Sequence, residues 1–261
     1  MSIKKTIYKV RKSLKNAVDV DFQKRKTLLK LGTRLYSNSG GKVFGGIFAA
    51  MKLPAIDAVL KRPNIIVGSY ESDIQNALLE AILWEPDSII NIGSAEGYFA
   101  VGLAMLSHDT IPVYAFEMEE RHWYDCAEMA KINQIHSIVQ KGECSIRSLN
   151  ETPIQKPFVF IDCEGGEMEL LNPVKASVLK NAFIICELHD FVIPKITGEL
   201  ISRFKNSHSI QIIYESAKQV KDYRILDCLE GEKDRNLAIT EFRQMNSIPD
   251  QGRWMVLTPK F

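Results

Sequence analysis

The sequence predicts an α/β fold, a mostly parallel sheet covered by helices on both faces. Three observations carry this. Short runs rich in β-branched and aromatic residues alternate with helix-period segments from residue 88 to residue 205. Such runs are apolar throughout, as strands buried on both faces must be. The first run, "SIINI", leads into a loop bracketed by Gly93 and Gly97. The next run ends on an acid, Glu117, about twenty residues further on.

The elements follow in chain order. Ile3, Ile7, Val10, Leu14 and Val18 recur at helical spacing with lysines and Arg11 between them, so residues 3–18 are expected to form a basic amphipathic helix. A looser helix is expected over Phe22–Tyr36. "SNSGGKVFGG" reads as a connection, because no Lys-Ser/Thr follows its glycines as a phosphate loop requires. Ser72 and Gln75 stand at capping-box spacing before Ile74, Leu78 and Ile82, which share a helical face. Strands are expected at 88–92, 111–117, 137–141, 157–162 and 182–188. Helices are expected at Tyr98–Leu106, Arg121–Ile135, from Glu167 to Leu171 onward, and at Pro194–Lys205. Two further strands, 210–215 and 254–259, close the chain. The polar stretch 217–252 between them reads as an insertion with at least one helix. The organisation expected is a basic helical extension over residues 1–67, then one catalytic domain over 68–261.

At 261 residues the chain can bury one sizeable core. Its five cysteines are dispersed with no Cys-x-x-Cys pair, which fits a reducing, cytoplasmic setting. No signal-peptide h-region is visible, and the longest apolar stretch, Val43–Met51, is too short to span a bilayer. The net charge of +1 hides an asymmetry. Residues 1–62 carry 15 Lys/Arg against 3 Asp/Glu, and residues 63–261 carry 18 against 29. An acidic catalytic part repels phosphate backbones, so a nucleic-acid partner is not expected. The basic residues 3–18 suit an anionic membrane or a lipid-linked acceptor, the chain's own acidic part, or a second copy in a homo-oligomer.

In an open parallel sheet the ligand sits beyond the carboxyl ends of the strands, and the first strand-to-helix turn cradles it. "NIGSAEGYFA" is such a turn. A nicotinamide dinucleotide asks for Gly-x-Gly-x-x-Gly, which is absent, and Glu96 in the loop would repel its pyrophosphate. S-adenosylmethionine carries a sulfonium and an ammonium and no phosphate, so Glu96 does not oppose it. Glu117 is placed to accept hydrogen bonds from ribose hydroxyls.

These residues resemble a known family. "IINIGSAEGYFAVGLA" is similar to the first motif of class I S-adenosylmethionine-dependent methyltransferases, and "AFEMEERHWYDCAEMAKIN" to their second strand and helix. "FIDCEGGEMELL" resembles the acidic signature of the FkbM-like group, with "IICEL" as the strand after it and "GSYESDI" as a segment ahead of the core. The resemblance covers residues 68–216. It implies a Rossmann-like seven-stranded sheet whose last strand inserts antiparallel. It also implies that Gly93, Ser94 and Gly97 approach the methionine part of the cofactor, that Glu117 binds the ribose, and that Glu143 lies near the adenine amino group. As an exposed turn residue, Glu143 has an equal structural reading. The acceptor implied is a hydroxyl on a sugar, glycan or secondary metabolite. An NAD-dependent oxidoreductase and a catalytically silent cofactor-binding protein stay open.

Methyl transfer to a hydroxyl needs alignment and removal of a proton. Candidates cluster at the ends of the fourth and fifth strands: Asp162, Glu164 and Glu167, then Glu187, His189 and Asp190. Asp162 or His189 is the candidate base. Without a metal His189 is preferred, because its unperturbed pKa lies nearest neutrality. With one, Asp162, Glu187 and His189 are the expected ligands for a divalent ion such as magnesium, manganese or calcium. Glu167 is read as a helix cap.

Overall fold

The computed structural model describes residues 23–152, 154–240 and 252–260. The basic segment 3–18 lies outside the described residues, as do positions 241–251 of the insertion.

Seven strands form one sheet: β1 Ser88–Ile92, β2 Val113–Phe116, β3 Ile138–Lys141, β4 Pro157–Ile161, β5 Phe183–Glu187, β6 His208–Tyr214 and β7 Arg253–Pro259, in the order β3-β2-β1-β4-β5-β7-β6. β1 to β5 run parallel. β7 inserts antiparallel between β5 and β6, so the seven-stranded topology with an antiparallel last strand is observed. β1, β4 and β5 are buried along their whole length. Their successive side chains alternate between two cores. Ile89, Phe158, Phe160, Ile185 and Val256 face one. Ile90, Ile92, Val159, Ile161, Ile184 and Leu257 face the other.

Helices cover both faces. Residues 23–38 form α1, slightly longer than expected, with Leu28, Leu31 and Leu35 buried at helical spacing. Asp57–Leu60 (α2) and Pro63–Val67 (α3) are short, the latter starting on a proline and ending at Gly68. Leu31, Leu35, Val43, Phe48 and Met51 join the same core as the sheet, so this region is packed onto the domain. The remaining helices are α4 Gln75–Leu83, α5 Tyr98–Leu106, α6 Glu120–Ile132, α7 Ile146–Glu151, α8 Glu167–Leu170, α9 Ile196–Phe204 and α10 Glu232–Ile239. Within the insertion, Ile225, Leu226, Leu229, Ala238 and Ile239 are buried. The described part of the insertion, up to residue 240, therefore covers the core. Among the described residues no helix is long and apolar enough to cross a membrane.

The capping box expected at Ser72 and Gln75 does not form. Glu71 adopts φ +48 and a 3-10 turn over Ser72–Ile74 precedes α4, with no side-chain cap. Gln75 instead donates to Gly68 O at 3.2 Å and accepts from Ile47 N at 3.2 Å, binding two loops together.

Strand order reverses direction between β1 and β4, and a crevice opens where such a reversal occurs. Gly93, at φ +81, closes its floor. A Cβ there would stand 1.7 Å from Asp162 O. Both the left-handed backbone and the contact with β4's end exclude a side chain. Gly93→Ala is expected to destabilise the fold by roughly 3–5 kcal/mol, read by denaturant unfolding. An unchanged midpoint would refute this account of the turn.

Candidate active site

β1 delivers the loop 93–97 and β2 delivers Glu117. Gly93 N and Ser94 N both donate to Phe116 O, at 2.9 and 3.0 Å, so the loop is tied to the end of β2. Glu117 completes the tie. Its carboxylate accepts from Ala95 N and from Glu119 N, each at 2.9 Å. Two backbone N–H groups thus fix an acid whose remaining lone pairs stay available.

Above these residues lies a cleft of about 570 Å³, lined among others by Gly93, Glu117, His122, Glu143, Asp162 and Glu164. That size falls in the usual range for a small-molecule site. Five carboxylates line it, those of Glu117, Glu119, Glu143, Asp162 and Glu164, and among the described residues no Lys or Arg does. Cys144 and Cys163 also line it. Burial pushes the Cys144 thiol up to about 11 and raises that of Cys163 too, so neither is a thiolate at neutral pH.

The predicted cofactor residues separate into two groups. Gly93, Glu117 and Glu143 line the cleft, Glu143 from an exposed position. Ser94, Glu96 and Gly97 do not line it. Gly97 is needed for packing, since a Cβ there would meet Cys126 Sγ at 2.7 Å. Glu96 is buried and its carboxylate pairs with Arg62, whose guanidinium also stacks 4.4 Å over the Tyr70 ring. Arg62 neutralises Glu96, which removes the sequence argument that Glu96 repels a pyrophosphate. The five carboxylates of the cleft itself do that instead.

β4 and β5 bring the acidic cluster together. His189 is 2% exposed. Its Nδ1 stands 3.0 Å from Glu167 Oε1, and its Nε2 stands 3.7 Å from Asp162, 3.7 Å from Glu164 and 3.9 Å from Glu187. Burial alone would lower the His189 pKa. The hydrogen-bonding and charge of Glu167, followed by Asp162 and Glu164, overcome it and raise the value above the ordinary 6.5. Asp162 moves the same way for the opposite reason. Burial lifts its carboxyl to about 6, against the lowering effects of its hydrogen bond with Glu187 and of His189. Both shifts count against the preference for His189 as base. The buried imidazole holds its proton more tightly than usual, while Asp162 titrates near neutrality and lines the cleft.

Two of the candidate acids, Glu167 and Glu164, and one residue outside the candidate set, Glu71, shape the site. Glu167 is fully buried and accepts from Cys163 N at 3.0 Å, as a capping residue does, yet it also holds His189. Glu71 is buried, accepts from Trp254 Nε1 at 2.9 Å, and lies close enough to add to the upward push on Asp162. Glu164, at φ +54 and exposed, joins Asp162 and His189 in a donor set that does not include Glu187. Ligand atoms of Asp162, Glu164 and His189 fall within 4.8 Å of one another, a set able to hold a divalent cation. Asp190 is not part of the cluster's working surface. It receives hydrogen bonds from Thr197 Oγ1 and from Arg253 at 3.1 Å, bracing α9 to β7.

Neither the family models nor the curated proteins contain a sequence match to this chain. Several solved structures resemble it. The O-methyltransferase TomG from Streptomyces achromogenes, involved in tomaymycin synthesis and solved with SAM, is 13% identical over 89% of this chain and 90% of its own, with a TM-score of 0.48. The Podospora anserina methyltransferase PaMTH1, bound to SAH, is 13% identical over 95% and 96%, with a TM-score of 0.47. The ribosomal protein L11 methylase from Lactobacillus delbrueckii subsp. bulgaricus is 15% identical over 72% and 79%, with a TM-score of 0.43. At such identities and TM-scores these likenesses decide nothing about activity, which has to be argued from the cleft.

Proposed function

We propose that the chain is an S-adenosylmethionine-dependent methyltransferase acting on a hydroxyl of a small molecule or glycan. The observation that carries this reading is the cleft: five carboxylates and no lysine or arginine among its described lining residues, at the carboxyl ends of β1, β2 and β4. A pyrophosphate is repelled there, whereas a ligand bearing a sulfonium and an ammonium is attracted. Glu117, fixed by Ala95 and Glu119, fits a pair of ribose hydroxyls. When bound, S-adenosylmethionine supplies the activated methyl group on its sulfonium.

The chain's own residues supply the rest. Asp162, with its pKa near 6, takes the proton from the acceptor hydroxyl. His189 sits 3.7 Å away and offsets the charge that Asp162 carries before it takes that proton. Glu167 keeps the imidazole in place. A second reading rests on the 4.8 Å grouping of Asp162, Glu164 and His189. A divalent cation held there would lower the acceptor's pKa, and EDTA would then abolish transfer.

The test is a thermal-shift comparison. Adenosylhomocysteine is expected to raise Tm and NAD to leave it unchanged. Glu117→Ala is expected to weaken adenosylhomocysteine binding by roughly 10- to 100-fold, the worth of hydrogen bonds to a charged acceptor. A Tm rise with NAD alone would overturn the reading.

A further inference from the structure

Residues 22–56 contain seven Lys/Arg and no Asp or Glu. In their midst the chain folds back on itself. Val43 N donates to Met51 O and Leu53 N donates to Gly41 O, each at 2.8 Å. Lys42 and Lys52 face each other between these bonds as an antiparallel bridge. Hydrogen bonds that flank a pair instead of joining it mark the narrower kind of cross-strand pair, with Cβ atoms about 4.5–5.5 Å apart. Burial alternates along both arms. Val43 and Met51 are 1% and 0% exposed, while Lys42, Phe44, Ala50 and Lys52 are exposed, Phe44 by 50%. One face of the clamp is therefore core. The other presents two ammonium groups side by side, with an aromatic ring two residues further along.

Both features cost free energy as they stand. Like charges directly opposite each other destabilise a strand pair. Among the described residues neither lysine has an ion-pair partner. A half-exposed phenyl ring adds an unfavourable apolar surface in water. A surface that is anionic at one depth and apolar at the next relieves both. We propose that this face docks on an anionic membrane, with lipid phosphates between Lys42 and Lys52 and with Phe44 entering the acyl boundary. The order of features selects a bilayer. Charge stands at the base, and the tip from Val43 to Met51 has no polar side chain. An acidic protein surface would leave Phe44 and Ala50 against carboxylates, and a nucleic-acid duplex presents phosphates with no apolar layer beneath them for Phe44 to enter.

The clamp is fastened to the domain. Asn133, at the end of α6, accepts from Lys52 N and donates to Lys52 O, both at 2.8 Å. Gly45 and Gly68 cross so closely that a Cβ on Gly68 would stand 2.1 Å from Gly45 O. Gln75 bridges the same crossing, and Glu71 follows it by three residues. Docking through the clamp thus sets the catalytic domain at a fixed attitude to the lipid. This inference goes beyond the methyl-transfer reading and stands without it.

The experiment uses the full chain carrying Phe44→Trp, compared with the parent protein to subtract the native tryptophans. Vesicles are phosphatidylcholine alone or phosphatidylcholine with phosphatidylglycerol, and some carry bromine on the acyl chains. The introduced indole is expected to shift to the blue and to be quenched by brominated anionic vesicles. Neutral vesicles and inorganic phosphate are expected to leave it unchanged. Lys42→Glu with Lys52→Glu is expected to lower co-sedimentation with anionic vesicles at least about 30-fold, from a factor of about five for each lysine charge lost. Protein that pellets with its introduced indole unshifted would place the membrane contact elsewhere and overturn the proposal. A blue shift without vesicles that follows protein concentration would assign the face to a second copy and overturn it equally.

Discussion

Asp162→Asn is expected to lower methyl transfer by about 10²–10⁴-fold and to make the protein more stable above pH 6. The two effects share one cause. Burial raises the Asp162 carboxyl from 3.8 to about 6. A carboxyl raised in the fold binds its proton more tightly there than in the unfolded chain. Its contribution is complete below 3.8, shrinks as pH climbs towards 6, and becomes a standing cost above it. At pH 8 the native protein holds that carboxylate charged in a buried place, with Glu71 and Glu164 opposing the charge. Asparagine removes the charge, and with it roughly 2–3 kcal/mol of cost. That corresponds to a Tm several degrees higher at pH 8, with little difference near pH 4. Calorimetry at the two pH values and an activity assay on any acceptor would check both halves. Full activity in Asp162→Asn would remove Asp162 as the base. An unchanged Tm at pH 8 would show that its burial costs nothing.

A residue whose removal harms function and helps stability is what an active site built from repelling groups produces. The cleft concentrates carboxylates where no core argument calls for them. His189, set among four of them, is what makes the arrangement tolerable. Burial disfavours its imidazolium, and the surplus of negative charge around it more than offsets that and raises its pKa.

Much of this frame was legible in the sequence, because a parallel sheet writes itself plainly. β1, β4 and β5 read as continuous apolar runs since both faces are covered. Glycines 93 and 97 announce the turn, and Glu117 announces the end of β2. Asp162 and His189 could be paired from strand ends alone, because adjacent parallel strands open on the same crevice. What stayed hidden depends on contacts distant in sequence. Glu71 enters the site through its hydrogen bond with Trp254, across 183 positions. No spacing encodes that. Glu96 seemed an uncompensated charge because Arg62, its partner, precedes the sheet altogether. Glu167 reads as a helix cap from local pattern, which captures its bond to Cys163 N and misses its ion-pair contact with His189, just beyond β5. The preference for His189 as base rests on a related local signal. An unperturbed pKa is a property of the residue, whereas the order of two pKa values in a buried cluster belongs to the neighbourhood. The capping box at Ser72 and Gln75 is a local signal outweighed by packing, since Gln75 is drawn off to join the Gly45–Gly68 crossing.

Glu167→Gln is expected to give the largest loss of stability among the variants of the acidic cluster. Glu167 and His189 are 0% and 2% exposed. Removing one partner of so buried a pair takes away the nearest counter-charge of His189, at 3.0 Å, and leaves only those at 3.7–3.9 Å, a loss of up to roughly 3–5 kcal/mol. Glutamine keeps an oxygen for Cys163 N, so the loss isolates the charge and not the cap. The pH dependence distinguishes this from simple repacking. Burial opposes the Glu167 charge, but His189 and the Cys163 N–H more than offset it and the pKa falls below 4.5. Its contribution is therefore present above 4.5 and lost as pH drops through the lowered value. The His189 pKa lies above 6.5, so its contribution is complete below 6.5 and is lost as pH rises through the raised value. The pair stabilises most between about pH 4.5 and 6.5. Denaturant unfolding of native protein and Glu167→Gln across pH 4 to 9 should show the gap between them widest in that window and narrowing towards pH 9. Asp162 is present in both proteins, so its own titration largely cancels. A gap of constant size from pH 5 to pH 9 would mean that Glu167 acts by shape alone, and that His189 is not held as an imidazolium.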